Sequence, residues 1–289
     1  MAKHQSSNDR NKFYCSDIPD SMKASLKEIE RLKKSIDEKK PLCPDVWQTI
    51  QEKLRIDWTY DSNAIEGSTL TRGETMFFLQ EGLTAEGKPF KDFLDAKNHA
   101  EAIEYLFEII KNERPLNAGL VKELNALLLK GVTATSAVNQ FGQNIQKPAH
   151  PGTYKKQPNH VQQFDGSIHY YTDPLHVQDE MDVLISWIYE QLPTLHPVIV
   201  AAISHYNLAR IHPFDDGNGR VARLLMNFVL MKAGYPPAVI RNENRREYMD
   251  CLSQADSGNI SPFIGFTCIS LKDTLESILL DLQAGKQPN

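Results

Sequence analysis

Two side chains in the short segment IHPFDDGNGRVAR, at positions 211–223, could together act on a substrate that carries phosphate. His212 is a titratable base whose ordinary pKa is about 6.5. Asp216 offers a carboxylate, and Mg²⁺ is commonly held by one or two carboxylates together with substrate phosphates. The segment therefore predicts a general base and a metal ligand only four residues apart.

The residues that follow could bind the phosphates themselves. Gly217, Asn218 and Gly219 would expose backbone N–H groups at the positive end of a helix dipole, which is an anion site. Arg220 and Arg223 are three residues apart and so share one face of the first helical turn. Two adjacent guanidiniums repel each other unless an anion lies between them, and this pattern predicts a polyphosphate site.

Two other interpretations of the segment compete with this one. The run DDGNG is ordinary turn chemistry, since Gly and Asn tolerate positive φ, and it could merely connect two helices. The spacing Gly217-x-Gly219-x-x-Ala222 also matches a dinucleotide fingerprint, which requires a preceding strand. The residues before it have helical periodicity instead, so the fingerprint interpretation is rejected.

The elements that must position this segment are mainly helical. Apolar residues recur at helical spacing over most of the chain. The predicted helices cover 21–40, 44–61, 91–112, 117–128 with Asn117 as N-cap, 176–192, 196–211, 218–234, 244–256 and 262–284. Residues 133–175 are rich in Pro and Gly and predict loops with one short hairpin, 153–160 against 161–170. Strands are expected only around 150–171, so the fold class is mainly α.

Composition excludes several classes of protein. With 41% apolar and 24% charged residues, the 289-residue chain can build a sizeable core. A net charge of −5 argues against nucleic-acid binding by the whole surface. The sequence shows no hydrophobic leader and no stretch of the ~18 apolar residues that a membrane span needs, so we expect no membrane partner. Four scattered cysteines suit a reducing compartment, and a cytoplasmic location is the expectation.

The segment HPFDDGNGRVAR resembles the Fic signature HxFx(D/E)GNGRxxR at every defined position. The resemblance implies the family of Fic-domain protein adenylyltransferases, which transfer AMP from ATP to a Tyr, Thr or Ser hydroxyl and release pyrophosphate. It implies a Fic fold, a helical bundle with a small β-hairpin flap over the active site, with ATP as substrate and Mg²⁺ as cofactor.

The resemblance also assigns roles within the segment. His212 resembles the general base, and Asp216 resembles the Mg²⁺ ligand. Gly217, Asn218 and Gly219 resemble the anion hole, while Arg220 and Arg223 resemble the arginines that grip the β- and γ-phosphates. Gly219 stands where the toxin kinase branch of the family has Lys, and this favours AMP transfer over phosphate transfer.

Two further segments resemble family features. Ser62–Gly67, SNAIEG, is similar to the inhibitory motif (S/T)xxxE(G/N), with Glu66 as the inhibitory residue; a capped helix end is the alternative. Gly152, Thr153, Tyr154 and Lys155 resemble the start of the flap, whose free strand edge could pair with a target backbone. Tyr248 and the residues 255–258 fall where relatives shape the adenine pocket.

The resulting organisation has a flexible tail (1–20), an N-terminal helical region with the inhibitory motif (21–110), a catalytic core (111–270) and a C-terminal helix and tail (271–289). The expected partner is a protein with a hydroxyl side chain, and self-modification and a homodimer stay open. Removal of AMP as the main direction, with Glu66 orienting a water, and a nucleotide sensor with little turnover remain the alternatives.

Overall fold

Ten α-helices, two short 3₁₀-helices and two short β-hairpins make up the computed structural model, which describes residues 13–14, 20–138, 143–162 and 168–284. The helices are α1 (Asp20–Asp37), α2 (Pro44–Ile65), α3 (Arg72–Glu81), α4 (Phe90–Lys111), α5 (Ala118–Leu128), α6 (Val177–Gln191), α7 (Pro197–Ile211), α8 (Asn218–Lys232), α9 (Arg245–Asp256) and α10 (Ser261–Ala284). Most of the predicted flexible tail, residues 1–20, lies outside the described residues. The predicted boundaries between the N-terminal helical region, the catalytic core and the C-terminal helix, at residues 110 and 270, stay predictions.

Helices α7 and α8 form the centre of the molecule. They pack on each other, and α6, α9 and α10 contact α7 while α2, α4 and α5 contact α8. Both helices are buried on almost every side and mostly apolar apart from the site residues, and residues such as Ile203 and Leu225 have no exposed surface. A helix that is hydrophobic all round is stable only when other helices surround it. The loop between α7 and α8, which carries the predicted site, is therefore fixed at both ends by the core.

Local sequence sets the helix ends beside the site. Pro197 begins α7, where a missing N–H costs nothing, and the Asn117 side chain accepts from the Leu120 N–H at 2.9 Å as the predicted N-cap of α5. Helix α3 was not predicted from periodicity. Thr71 and Glu74 begin it with a capping box, and Gly82 ends it at φ 71°.

The β-structure differs from the prediction in two ways. Residues 153–160 do not form a strand; the second hairpin instead pairs Val161–Gln162 (β3) with Ile168–His169 (β4). The N–H of Lys155 and the side chain of Asn159 donate to the 213–214 backbone, which takes this segment away from any ladder. Strands also occur before residue 150, because Ala134–Val138 (β1) pairs antiparallel with Asn144–Pro148 (β2). The mainly α class itself is confirmed.

Among the described residues, no helix combines the length and the apolar composition that crossing a bilayer requires.

Candidate active site

The predicted base, metal ligand and phosphate-binding residues lie together in the loop between α7 and α8 and in the first turns of α8. His212 ends α7 in the left-handed conformation, at φ 52° and ψ 59°. Asn218 closes the loop: its side-chain carbonyl accepts from the Phe214 N–H at 2.9 Å, and its NH₂ donates to the Phe214 carbonyl at 2.8 Å. Both polar atoms of the Asn218 side chain thus hold the loop in shape. Its backbone N–H remains one of the N–H groups at the start of α8 that have no partner within the helix.

The His212 ring is held on two sides. Its Nδ1 lies 3.3 Å from the Ala209 carbonyl, an acceptor, so Nδ1 carries the proton and Nε2 keeps its lone pair. The ring of Tyr171 stacks on the imidazole, with centroids 3.7 Å apart and planes at 16°. Burial, with a smaller contribution from the charge of Lys155, lowers the pKa of His212 to about 3. His212 is therefore a neutral base at physiological pH.

The start of α8 has the geometry of an anion site. Gly217 precedes the helix at φ 78°, a left-handed conformation that suits glycine, and the first N–H groups of α8 have no partner within the helix. Gly219 lies against the Glu66 carboxylate, because a Cβ built at residue 219 would sit 2.5 Å from Glu66 Oε1. A side chain at position 219 would displace that carboxylate.

Arg220 is fixed by a carboxylate from another helix. It donates to Asp95 on α4 at 2.9 Å, and both side chains are buried. Its second amino group lies 3.9 Å from Asp216 Oδ1, while its Nε has no hydrogen-bond partner within the described residues. Arg220 thus faces the loop from a fixed position.

Arg223 is paired with the end of α2. It donates through Nε to the Ser62 hydroxyl and through Nη2 to the Ser62 carbonyl, both at 2.9 Å, and to Glu66 Oε1 at 2.7 Å. The Arg223 side chain is only 2% exposed. Burial alone would raise the pKa of Glu66, but the guanidinium outweighs it and holds that pKa below its usual range. The two residues, 157 positions apart in the sequence, form a charged pair.

Asp216 meets the donor chemistry of a Mg²⁺ ion that is shared with a nucleotide. Its Oδ1 accepts from the Gly217 N–H at 2.6 Å, and its side chain is 38% exposed. Within the described ranges no three or more His, Cys, Asp or Glu side chains converge as a metal site. A magnesium ion bound mainly through substrate phosphates needs only one or two protein carboxylates, and Asp216 fits that role.

The four predicted flap residues lie beside the loop but not on a strand. The Gly152 N–H donates to Asn125, and the Lys155 N–H donates to the Pro213 carbonyl at 2.8 Å. Between them Thr153 is exposed, and the Tyr154 ring packs on Phe214 with ring centroids 5.4 Å apart. Residues 152–155 therefore do not themselves form a strand edge, and their role in docking a target stays a prediction. The two-stranded sheets on either side of this segment, β1–β2 and β3–β4, leave open strand edges.

Three residues that sequence reasoning did not assign complete the site. Asn125 on α5 accepts from the Gly152 N–H and donates to the Asp216 carbonyl, both at 2.9 Å, and so joins the flap segment to the loop. Asp95 holds Arg220, and Tyr171 covers His212. The position of Asn125 on the apolar face of a helix is the one sequence feature that indicates a buried polar contact there. The other two contacts cross 125 and 41 positions, and no local pattern shows them.

Comparisons with known proteins agree with this arrangement. The Fic/DOC family model matches residues 115–230. A relative named Protein adenylyltransferase Fic from Nematostella vectensis is 33% identical over 224 residues, 76% of this chain and 48% of that protein. One of the same name from Aedes aegypti is 31% identical over 230 residues, 79% of this chain and 42% of that protein. The chain therefore spans less than half the length of these two curated relatives.

One similar solved structure is matched over nearly its whole length. The crystal structure of a Fic domain containing signaling protein from Bacteroides thetaiotaomicron is 31% identical, with a TM-score of 0.78, over 90% of this chain and 97% of that one. The fold places every signature residue in one loop and the helix start that follows it. Together with a match at 31% identity over nearly the whole solved chain, this shows that the chain belongs to the Fic/DOC family.

Proposed function

We propose that this chain transfers AMP from ATP to a hydroxyl side chain of a target protein and releases pyrophosphate. The observation that carries the proposal is His212, a neutral base beside the anion site at the start of α8. Membership of the Fic/DOC family and the name of the two curated relatives support it. Gly219 stands at the position where the toxin kinase branch of the family has Lys, and this supports transfer of AMP rather than of phosphate.

The reaction follows from the placement of these groups. Nε2 of His212 takes the proton of the target hydroxyl, whose oxygen attacks the α-phosphorus of ATP. The bond from the α-phosphorus to the bridging oxygen breaks, and pyrophosphate leaves with that oxygen. The N–H groups at the start of α8, Arg220 and Arg223 bind the phosphates and stabilise their charge. Asp216 would hold Mg²⁺, which supplies further charge neutralisation on the phosphates when it is bound.

Glu66 restrains this reaction in our proposal. Its carboxylate forms a charged hydrogen bond with Arg223 and lies against Gly219. An incoming phosphate would bind the same guanidinium and the backbone N–H groups at the same place. One guanidinium cannot serve two anions fully at the same time. Bound ATP then settles with its α-phosphate poorly placed for attack, and release of Glu66 activates the site.

The test identifies the group that is transferred. The Glu66→Gly variant is incubated with ATP, Mg²⁺ and a cell lysate, and modified peptides are identified by mass spectrometry; Glu66→Gly combined with His212→Ala is the control. We expect AMP on Tyr, Thr or Ser side chains, and none in the control. A phosphate or UMP adduct, or ATP binding with no adduct at all, would overturn the proposal, and the last result would favour a nucleotide sensor.

A second candidate is removal of AMP from a modified target. It is favoured by the ionised Glu66 carboxylate, whose charge acts on His212 as well as on Arg223. Such a carboxylate could orient a water for attack on the AMP phosphorus. Lysate proteins that the Glu66→Gly variant has modified are freed of ATP and incubated with wild-type protein or with the variant. AMP release that requires Glu66 supports removal, and release by neither protein excludes it.

A further inference from the structure

The closest ring contact of the site involves a residue that the proposed reaction does not use. Tyr171 comes two residues after β4 and stacks on His212 at 3.7 Å with nearly parallel planes. A ring at this distance covers one face of the imidazole and leaves its edge open. The stack therefore limits which way the imidazole plane can turn.

We propose that Tyr171 is a positioning residue whose ring fixes the plane of the His212 imidazole so that Nε2 faces the incoming hydroxyl. The inference rests on the proposed function for the role of His212 as base. The hydrogen bond from Nδ1 to Ala209 is long, at 3.3 Å, and a single bond of this kind defines the ring orientation poorly. The stacked ring of Tyr171 supplies the second restraint.

Tyr171 is itself held by the second hairpin and the segment before it. Its N–H donates to His160 Nδ1 at 3.2 Å, and the His169 ring meets its ring edge-on at 4.7 Å. The Lys155 ammonium lies 5.7 Å from the Tyr171 ring centroid and donates to Asn159 Oδ1 at 2.7 Å. The orientation of the base is in this way coupled to the hairpin that a target would approach.

The kinetic test compares three variants in the Glu66→Gly background. Tyr171→Ala removes the stack, Tyr171→Phe keeps the ring without the hydroxyl, and Tyr170→Ala removes a neighbouring exposed tyrosine. Because a stacked aromatic pair contributes up to about tenfold to an equilibrium, we expect Tyr171→Ala to lower kcat by about that factor. KM for ATP should stay near its starting value, and Tyr171→Phe should restore kcat. Loss of kcat in Tyr171→Phe equal to that in Tyr171→Ala would overturn the proposal.

A second measurement needs no activity. The rate at which diethyl pyrocarbonate modifies His212 is followed by peptide mass spectrometry in the wild type, Tyr171→Ala and Tyr170→Ala. We expect an altered rate in Tyr171→Ala alone, because only that variant frees the imidazole to turn and so changes how far its Nε2 edge is exposed to the reagent. An unchanged rate, or an unchanged kcat in Tyr171→Ala, would show that the ring does not position His212. If the Glu66→Gly protein transfers no AMP, the proposed function fails while this rate still tests the contact.

Discussion

At the scale of single residues, the site depends on charges that are set by burial. His212 is neutral because burial and the nearby Lys155 disfavour its protonated form, and Arg223 stays charged while 2% exposed because Ser62 and Glu66 surround it. The types and spacing of the signature residues predict the base, the metal ligand and the phosphate site. They do not predict Tyr171 or Asp95, because these residues reach the site only through the fold.

The pH profile of the transfer step tests the state of the base. An exposed histidine with a pKa of about 6.5 would lose activity as the pH falls below that value. Since the pKa of His212 is lowered to about 3, its imidazole stays unprotonated from pH 8 down to pH 5. We therefore expect kcat of the Glu66→Gly variant to show no acidic limb near pH 6.5. A limb there, absent from the corresponding profile of ATP binding, would contradict a buried neutral base.

At the scale of elements, hydrophobic periodicity predicts the long helices well because each buries a stripe or a whole surface in the core. It misses α3, whose single fully buried residue is Thr75 and whose Met76 and Phe77 are exposed. It also misplaces the hairpin. Residues 153–160 look like a strand in the sequence, but the Lys155 N–H and the Asn159 side chain donate to the loop between α7 and α8, a long-range contact that no local pattern contains.

A variant of Asn125 tests how residues 152–155 and the loop between α7 and α8 are joined. Asn125→Leu leaves the Gly152 N–H and the Asp216 carbonyl without this partner. We expect a loss of about 1–3 kcal/mol in the free energy of unfolding, and a fall of at least about tenfold in kcat because Asp216 and the loop shift.

The matched control is Asn117→Ala at the other end of the same helix. It removes an N-cap and should cost about 1 kcal/mol in unfolding free energy, with kcat near the wild-type value. Urea unfolding and steady-state kinetics measure both variants. If the two variants lose activity in proportion to stability alone, Asn125 has no role in the geometry of the site.

At the scale of the whole molecule, one hydrophobic cluster runs from Phe13, ahead of α1, to Leu282 in α10. Two buried neutral histidines lower the stability of the folded chain at low pH. His99 and His205 have no exposed surface, and burial lowers the pKa of both, that of His205 to about 3. The unfolded chain binds protons at these residues below about pH 6.5, whereas the folded chain does not. The contribution of these two residues to stability is therefore complete above that pH and is lost progressively below it.

The variant His205→Gln tests this linkage. Gln can still pair with the Tyr248 hydroxyl, which lies 3.0 Å from His205 Nε2, but it does not titrate. Between pH 7.5 and pH 5 the unfolding free energy of the wild type should fall by about 2 kcal/mol more than that of the variant. Urea unfolding at the two pH values measures the difference. Equal losses in both proteins would show that His205 is not held neutral in the folded state.

The most direct test of the account is the rate of AMP incorporation from α-labelled ATP in four proteins: wild type, Glu66→Gly, Glu66→Gly with Arg223→Ala, and Glu66→Gly with His212→Ala. A charged hydrogen bond contributes about 1.5–3 kcal/mol, so removing Glu66 should raise the rate by at least about tenfold. Arg223→Ala should cancel the gain, because the γ-phosphate then has no guanidinium, and His212→Ala should abolish transfer. A Glu66→Gly rate equal to that of the wild type, or transfer that survives His212→Ala, would contradict the account.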